Sequence, residues 1–476
     1  MLRRRSKVTP TLSPLHLCAQ QTPNATAIYV WNGQQYICLT YLELSQKVCA
    51  IASQIKQQGL KEGDRLACID NNSVELIVLY WACIDTGVLF CPLSGRFPQQ
   101  QIAELAVLYR LSHFWASADF CAKCPDTCIV LDFSTDASSQ APTVNLDTPC
   151  NAILTSGSSG QPKAAVHCLA NHIASAQGSS QLIELTQDDN WLLSLPLFHI
   201  GGLAIVNRCA VAGAALTIAM TGVDMVEQLS EIKLTHLSLV STQLVRILRQ
   251  DANALQNIKA LLLGGGAISS TLLEQLKPLN INAYTSYGMT EMSSQITTGL
   301  ATTKGSSGKL LPNRQLKIVD HAIYVKGDTL FLGYLTFDGQ SGLRRELDKD
   351  GWFATKDLGY WDQQDDLVIT GRVDNMFICG GENIQPEEVE AALKRHPMIS
   401  DAIVFPMKDS EFGLLPAAIV QGTMPDEAEL ESFISQTLAR FKRPRYYLPW
   451  PEVETISLKV SRKQIIQAAL HHKESS

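Results

Sequence analysis

From Thr40 to about residue 300 the chain alternates short apolar runs with helix-length segments, and this alternation constrains the fold most. Thr40-Tyr-Leu-Glu43 is a capping box, and Leu44, Val48, Ile51 and Ile55 follow at helical spacing before Gly59 closes the segment. The pattern then predicts strands over 65–70, 88–92 and 127–132, with helices over 73–86 and 99–111. Strands separated by helices pair in parallel, because each helix carries the chain back across a sheet face. The Ser/Asp-rich stretch 134–148 reads as a connector. Beyond it, strands are expected near 191–195, 216–219, 236–240, 260–263 and 282–287, with helices between them, one over 242–249.

From about 308 to 369 the pattern changes to short strands with Gly and Asp turns. After residue 371 it predicts a helix over 386–394, strands over 402–405 and 417–420, a helix over 427–440 and a last helix from Ser461. The expected fold class is therefore α/β. A large N-terminal domain, 1–373, holds α/β subdomains at about 16–150 and 151–300 and a β-rich subdomain at about 301–373. A small α+β domain, 374–476, follows.

Composition narrows the function. A net charge of −7 argues against a nucleic-acid or anionic-membrane binder. No apolar run reaches the length of a membrane-spanning helix. The basic start, Met1-Leu-Arg-Arg-Arg5, lacks the apolar segment of a secretory signal and reads as a frayed tail. Thirteen scattered cysteines suit reduced thiols in a cytoplasmic protein. The triplet Cys121, Cys124 and Cys128 is either incidental or part of a metal site lacking its fourth ligand. A homo-oligomer is left open.

Asn151-Ala-Ile-Leu-Thr-Ser-Gly-Ser-Ser-Gly-Gln-Pro-Lys163 joins an apolar strand to a turn of small residues, then a lysine and a second apolar run. Gly157 and Gly160 allow close backbone approach, and Thr155, Ser156, Ser158 and Ser159 bring hydroxyls beside exposed amides. With the Lys163 ammonium, that set suits a polyphosphate. It lacks the Walker spacing and leads into a strand rather than a helix. The plain alternative is a polar hairpin tip.

Further stretches stand out. Leu195-Pro-Leu-Phe-His-Ile-Gly-Gly202 places His199 after an apolar run, and Leu261-Leu-Leu-Gly-Gly-Gly266 offers bare backbone against which a flat ring can lie. Ser286-Tyr-Gly-Met-Thr-Glu-Met292 gathers a ring, a hydroxyl and a carboxylate at a strand's C-terminal end, where open α/β sheets bind ligands. Gly351 to Gly359 and Thr370-Gly-Arg-Val-Asp374 add Asp357 and Arg372. Each has a dull reading: a satisfied structural histidine, a turn, a capping carboxylate. The functional reading rests on their occurrence together, in this order.

These motifs, with Cys379-Gly-Gly-Glu-Asn-Ile-Gln-Pro-Glu-Glu-Val-Glu390, resemble the core motifs of the adenylate-forming superfamily over nearly the whole chain. That superfamily comprises acyl-CoA ligases, luciferase and peptide-synthetase adenylation domains. Pro196-Leu-Phe-His199, Ser241-Thr-Gln-Leu244, Trp352-Phe-Ala-Thr-Lys-Asp357 and Lys459-Val-Ser-Arg462 are similar to one branch, the o-succinylbenzoate–CoA ligases of menaquinone biosynthesis. The resemblance implies that ATP activates a carboxylate as an acyl-adenylate and that coenzyme A then displaces AMP. Residues Thr155 to Lys163, Ser156, Gly157, Ser158, Ser159 and Gly160 included, would hold the β,γ-phosphates. Tyr287, beside Gly288, would stack on adenine above Gly264, Gly265 and Gly266. Thr290 would contact the α-phosphate, and Glu291 would bind Mg²⁺. Asp357 would accept the ribose hydroxyls with Arg372 close by. His199, with Gly201 and Ser241, would border the acyl pocket.

Lys459 would reach in from a mobile C-terminal domain in the first step, with Lys463 as its rival. Asp374 matches the family's hinge, and Gly380 and Gly381 would face the thiol. Lys356 stands where glycine is more usual before the ribose-binding aspartate. Arg208, in the apolar helical stretch 203–211, either snorkels to a surface or pairs with a second carboxylate on the acyl substrate. Two other functions stay open: another aryl- or medium-chain acyl-CoA ligase, and a non-catalytic nucleotide sensor.

Overall fold

The computed structural model describes residues 10–474, apart from 126–127, 138–139, 156–161, 265–267, 269, 280, 304, 337–341, 380–381, 410–412 and 453–461. The chain divides into two compact units, one running to Leu316 and including Val325–Phe353, the other comprising Lys317–Tyr324 and everything from Ala354.

The first unit holds two sheets. The seven-stranded sheet runs in the order Leu343–Arg344, Gly333–Leu335, Lys163–Cys168, Pro149–Thr155, Leu89–Leu93, Arg65–Ile69 and His113–Ala116. The nine-stranded sheet runs Lys309–Leu310, Ser294–Leu300, Asn282–Met289, Ala260–Leu263, His236–Leu239, Asn190–Leu193, Ala215–Ile218, Thr26–Trp31 and Tyr36–Thr40. The runs that alternate with helices pair in parallel, as the sequence pattern requires.

Local signals set several of the boundaries. The capping box forms: Glu43 N donates to Thr40 Oγ1 at 3.2 Å and Thr40 N to Glu43 Oε2 at 2.7 Å. Ser73 caps the helix Val74–Thr86, which Gly87 ends at φ 72°. That helix is buried without a break from Leu76 to Asp85, within a cluster that draws on both sheets. Asp85 enters this core because His16 donates to it at 2.7 Å, while Ser45 meets the other ring nitrogen at 2.8 Å.

The strand expected over 127–132 does not form among its described residues, 128–132. A strand the sequence pattern did not mark, His113–Ala116, pairs in parallel with Arg65–Ile69. The segment 128–132 makes a backbone bond from Ile129 N to Phe114 O at 2.8 Å, and the Gln54 side chain bonds both N and O of Asp132.

A four-stranded sheet follows in the chain, with Arg314–Val319, Ala322–Gly327, Phe353–Trp361 and Leu367–Arg372 in that order. The second unit holds a three-stranded sheet, with Ile399–Asp409, Gly413–Gly422 and Tyr446–Pro449 in sequence. Ile384, Val389, Leu393, Val404 and Leu430 fill one core of that unit, and Phe405, Ile419 and Ile465 another. No described helix is long and apolar enough to cross a membrane.

Candidate active site

Strand Pro149–Thr155 pairs antiparallel with Lys163–Cys168, with Thr155 opposite Lys163. Ser156, Gly157, Ser158, Ser159 and Gly160 lie outside the described residues. Lys163 reaches both oxygens of Glu346 at 3.0 Å, and its ammonium sits 4.7 Å from the centre of the Tyr334 ring. The Tyr334 hydroxyl donates to Glu291 Oε1 at 2.6 Å. Burial and the Glu291 charge push that phenol far above its ordinary range, so it stays a donor. Lys163 and Glu291 are thus joined through Tyr334, which the sequence did not mark.

The turn after strand Asn282–Met289 carries Thr290 and Glu291. Gly288 is required there, because a Cβ on it would lie 2.1 Å from the carbonyl oxygen of Ser294. The chain makes one short 3-10 turn, Thr290–Met292, and leaves it through Ser293 and Ser294 at φ 52° and 102°. Such backbone persists only where the surroundings fix it. Here Thr290 O accepts from His167 Nε2 at 2.7 Å, Glu291 O from Phe331 N at 2.8 Å, and Thr329 O from Ser293 Oγ at 2.9 Å. Tyr287 is half-buried opposite Thr297. Gly264 follows the neighbouring parallel strand and donates to Leu239 O at 3.3 Å. Gly265 and Gly266 lie outside the described residues.

His199 is the N-cap residue of helix Ile200–Ala212, half-buried, with its ring 4.6 Å from that of Phe198. Gly201 lies in the first turn of that helix, and Ser241 opens the helix Ser241–Asp251. Arg208, on the same helix as Gly201, does not snorkel: it is 5% exposed. The helix is buried from Gly202 to Ala210, so the guanidinium is not carried out to the surface. Its guanidinium lies 5.3 Å from the Trp191 ring centre and donates to Gln295 Oε1 at 2.6 Å and Ser294 Oγ at 3.3 Å. Its Nε has no acceptor, and no described carboxylate bonds it.

In the second unit Asp357 and Arg372 face each other across paired strands, with Arg372 Nη1 donating to Asp357 Oδ1 at 2.7 Å. Arg372 Nε also donates to Asp374 Oδ1 at 2.9 Å. Partial burial opposes charge on Asp374, but the Arg372 bonds outweigh it and lower the carboxyl below its ordinary range. Lys356 adopts φ 67°, a conformation that glycine takes without cost. Gly380, Gly381 and Lys459 lie outside the described residues, and Lys463 is exposed on helix Arg462–Glu474.

Residues 15–335 match the AMP-binding enzyme model, and residues 388–457 match the AMP-binding enzyme C-terminal domain. The chain belongs to the AMP-binding enzyme family. Among relatives of this AMP-binding enzyme, the 2-succinylbenzoate–CoA ligase of Haemophilus influenzae is 36% identical over 434 residues, covering 90% of this chain and 92% of its own. A single-residue variant of Escherichia coli MenE with bound OSB-AMS superposes with a TM-score of 0.84 at 32% identity, covering 97% of this chain and 98% of its own. Bacillus subtilis o-succinylbenzoate coenzyme A synthetase in complex with ATP and magnesium ion gives 0.83 at 26% identity, covering 96% and all of the respective chains.

The cysteine triplet of this AMP-binding enzyme does not bring all three sulfurs within 4.8 Å of one another. Among the described residues only His16, Cys49 and Asp85 bring ligand atoms within 4.8 Å of one another, and there the His16–Asp85 bond already accounts for the grouping. None of the thirteen cysteines forms a disulfide. Desolvation pushes the Cys128 thiol up to about 11, an unreactive range.

Proposed function

We propose that this chain makes the coenzyme A thioester of o-succinylbenzoate, a step of menaquinone biosynthesis. A carboxylate oxygen attacks the α-phosphorus of ATP, the bond to pyrophosphate breaks, and an acyl-adenylate remains. The thiol of coenzyme A then attacks the acyl carbon, loses its proton, and AMP leaves. Family membership supports the AMP-forming chemistry, and the names of the relatives support the acid.

Arg208 carries the choice of acid. A buried guanidinium without a carboxylate is costly, and one N–H here has no acceptor at all. A substrate with a second carboxylate, beside the one being activated, supplies the missing anion. A monocarboxylic acid leaves Arg208 unpaired. Gln295 and Ser294, which hold the guanidinium, follow directly on the Thr290–Met292 turn, so the anchored end of the acid lies near the activating residues.

Both reacting groups in the first step are anionic, so the site must neutralise charge and hold the groups in line. Lys163 and the Ser/Gly turn serve the β,γ-phosphates, Thr290 the α-phosphate, and Tyr287 with Gly264–Gly266 the adenine. Glu291 offers the carboxylate a hard divalent cation prefers, already steadied by Tyr334. Bound there with ATP, Mg²⁺ supplies further charge neutralisation. His199, Gly201 and Ser241 border the acid. In the second unit Asp357, aligned by Arg372, takes the ribose hydroxyls, Lys459 serves the first step and Gly380-Gly381 the thiol. Asp374 is the hinge. Thirteen free thiols suit a reducing, cytoplasmic setting.

The test is AMP release by the purified protein with ATP, Mg²⁺ and coenzyme A over a panel of acids. For o-succinylbenzoate kcat/KM should exceed that for benzoate or octanoate by at least about 10²-fold. Equal turnover of a monocarboxylate would sink the choice of acid, and AMP release independent of coenzyme A would sink the thiol step.

A further inference from the structure

Three buried polar side chains form a directional chain ending on the Thr290–Met292 turn. His172, on helix Leu169–Ser180, has its Nε2 2.7 Å from Asn151 Oδ1. Asn151 Nδ2 lies 3.1 Å from His167 Nδ1, across the strand pair that holds the two residues opposite each other. His167 Nε2 lies 2.7 Å from the carbonyl oxygen of Thr290. All three residues are buried.

The carbonyl fixes every proton in the chain. It only accepts, so His167 carries its hydrogen on Nε2. Burial holds His167 neutral, with a pKa lowered to about 4, so its Nδ1 is a bare lone pair. That lone pair takes the Asn151 amide N–H, which turns Asn151 Oδ1 toward the Nε2–H of His172. His172 Nδ1 is left without a partner. Three desolvated polar groups, one incompletely satisfied, are thus committed to one carbonyl. A core that only needed packing is better filled with apolar side chains.

Nearby bonds brace the same turn. Ser175 Oγ donates to Ser293 O at 2.7 Å, and Asn171 Nδ2 donates to Asp328 O at 2.7 Å, ahead of the Phe331 amide that holds Glu291 O. The turn leaves through two residues at positive φ, so without these holds it relaxes.

We propose that His167 is a positioning residue of adenylation: its Nε2–H, oriented by Asn151 and His172, fixes the Thr290 carbonyl and so sets the Thr290 hydroxyl and the Glu291 carboxylate against the nucleotide. This rests on the nucleotide-binding role given above to Thr290 and Glu291. His167 acts through the backbone of the turn, by its bond to Thr290 O.

The test compares His167→Gln with His167→Asn, two neutral amides differing in reach. Gln places its N–H near the Nε2 position and regains the bond to Thr290; Asn reaches only the Nδ1 position. ATP–pyrophosphate exchange, driven by o-succinylbenzoate, should stay within a few-fold of wild type for His167→Gln. It should fall by about 10- to 100-fold in kcat for His167→Asn, as a misplaced catalytic turn does. Thioester formation from supplied acyl-adenylate should be unchanged in both, which also shows that both are folded. Exchange that is equal in the two variants, or a loss of both half-reactions in parallel, overturns the proposal. Glu291→Gln runs alongside: if exchange survives it, the nucleotide role of the turn fails. If it abolishes exchange while His167→Asn does not slow it, only the positioning role falls.

Discussion

Arg208 and Arg314 are two buried guanidiniums that meet the same problem differently. Arg314 directs its donors to neutral oxygens: Gln295 O and Pro312 O at 2.6 Å each, Ser175 Oγ at 3.2 Å and Ser175 O at 3.3 Å. Burial and then the Arg208 charge lower it to about 9, still protonated near neutrality. It closes a fold contact between helix Leu169–Ser180 and strand Ser294–Leu300. Arg208, lowered to about 10 by burial, keeps an N–H without an acceptor and lies against the Trp191 face. A cation 5.3 Å from an indole centre with a donor unused suits the proposed pairing with a carboxylate. Arg208→Ala should therefore raise KM for o-succinylbenzoate by about 30- to 1,000-fold, the range for losing one partner of a buried charge pair, with KM for ATP unmoved. Arg208→Lys should recover little, since an ammonium neither stacks nor forks. Steady-state kinetics with each substrate varied separately decides it. An unchanged KM for the acid removes Arg208 from the pocket.

The hairpin Pro149–Thr155/Lys163–Cys168 and the helix after it carry their own liability. His167 binds a proton near pH 4 when folded and near 6.5 when unfolded, so between those values the unfolded chain holds more protons and acid favours it. His172, lowered by its own burial and then by His167, pulls the same way. Asp85, raised by burial, pulls the other way, so the contribution is read as a difference between variants. The His167 contribution is complete above pH 6.5 and lost as pH falls toward 4, on the order of 3 kcal/mol. In urea unfolding, wild type should lose stability between pH 7 and pH 4.5 more steeply than His167→Gln; parallel slopes would refute the assignment. What could be read of these elements from sequence follows the range of the interactions that fix them. The capping box at Thr40 and Glu43 is local, and so is the strand–helix alternation, so both were legible. The segment 128–132 is as apolar as a strand, yet the Gln54 side chain takes the backbone N and O of Asp132 that a ladder would need. The hairpin Thr26–Trp31/Tyr36–Thr40 joins the nine-stranded sheet through Ala215–Ile218, a pairing that no local pattern encodes. Lys163 and Glu291 announced themselves by motif. Tyr334 reached them only because Gly333–Leu335 pairs with Lys163–Cys168, and His167 was hidden inside an apolar run.

At the scale of the molecule the open question is how one chain serves two half-reactions that ask different things of the carboxyl carbon. The first needs positive charge where the phosphate oxygens develop it; the second needs that place open to a thiol. A single rigid arrangement that keeps Lys459 in the site obstructs the second step, so we propose that the C-terminal domain turns at Asp374 between them. The contacts of Asp374 bear on where such a turn acts. Its carboxylate takes Arg372 Nε at 2.9 Å and Nη2 at 3.3 Å, and the same guanidinium holds Asp357 at 2.7 Å. Backbone rotation at residue 374 therefore pulls on the group that aligns the proposed ribose contact, tying the turn to the state of the nucleotide. Two variants should separate the steps in opposite senses. Lys459→Ala should cut pyrophosphate exchange by about 10²–10³-fold, as loss of an oxyanion donor does, while still passing supplied acyl-adenylate to coenzyme A. Asp374→Pro pins φ near −65°, and should leave exchange intact while thioester formation falls. Asp374→Ala, which loses the carboxylate but keeps the rotation, should retain both steps and so separates the hinge from the ion pair. Equal loss of both steps in Asp374→Pro places the hinge elsewhere, and an exchange defect in Lys463→Ala but not Lys459→Ala moves the charge-stabilising role four residues along the chain. Neither outcome touches the proposed pairing of Arg208 with a second carboxylate, which the acid-dependent KM tests separately.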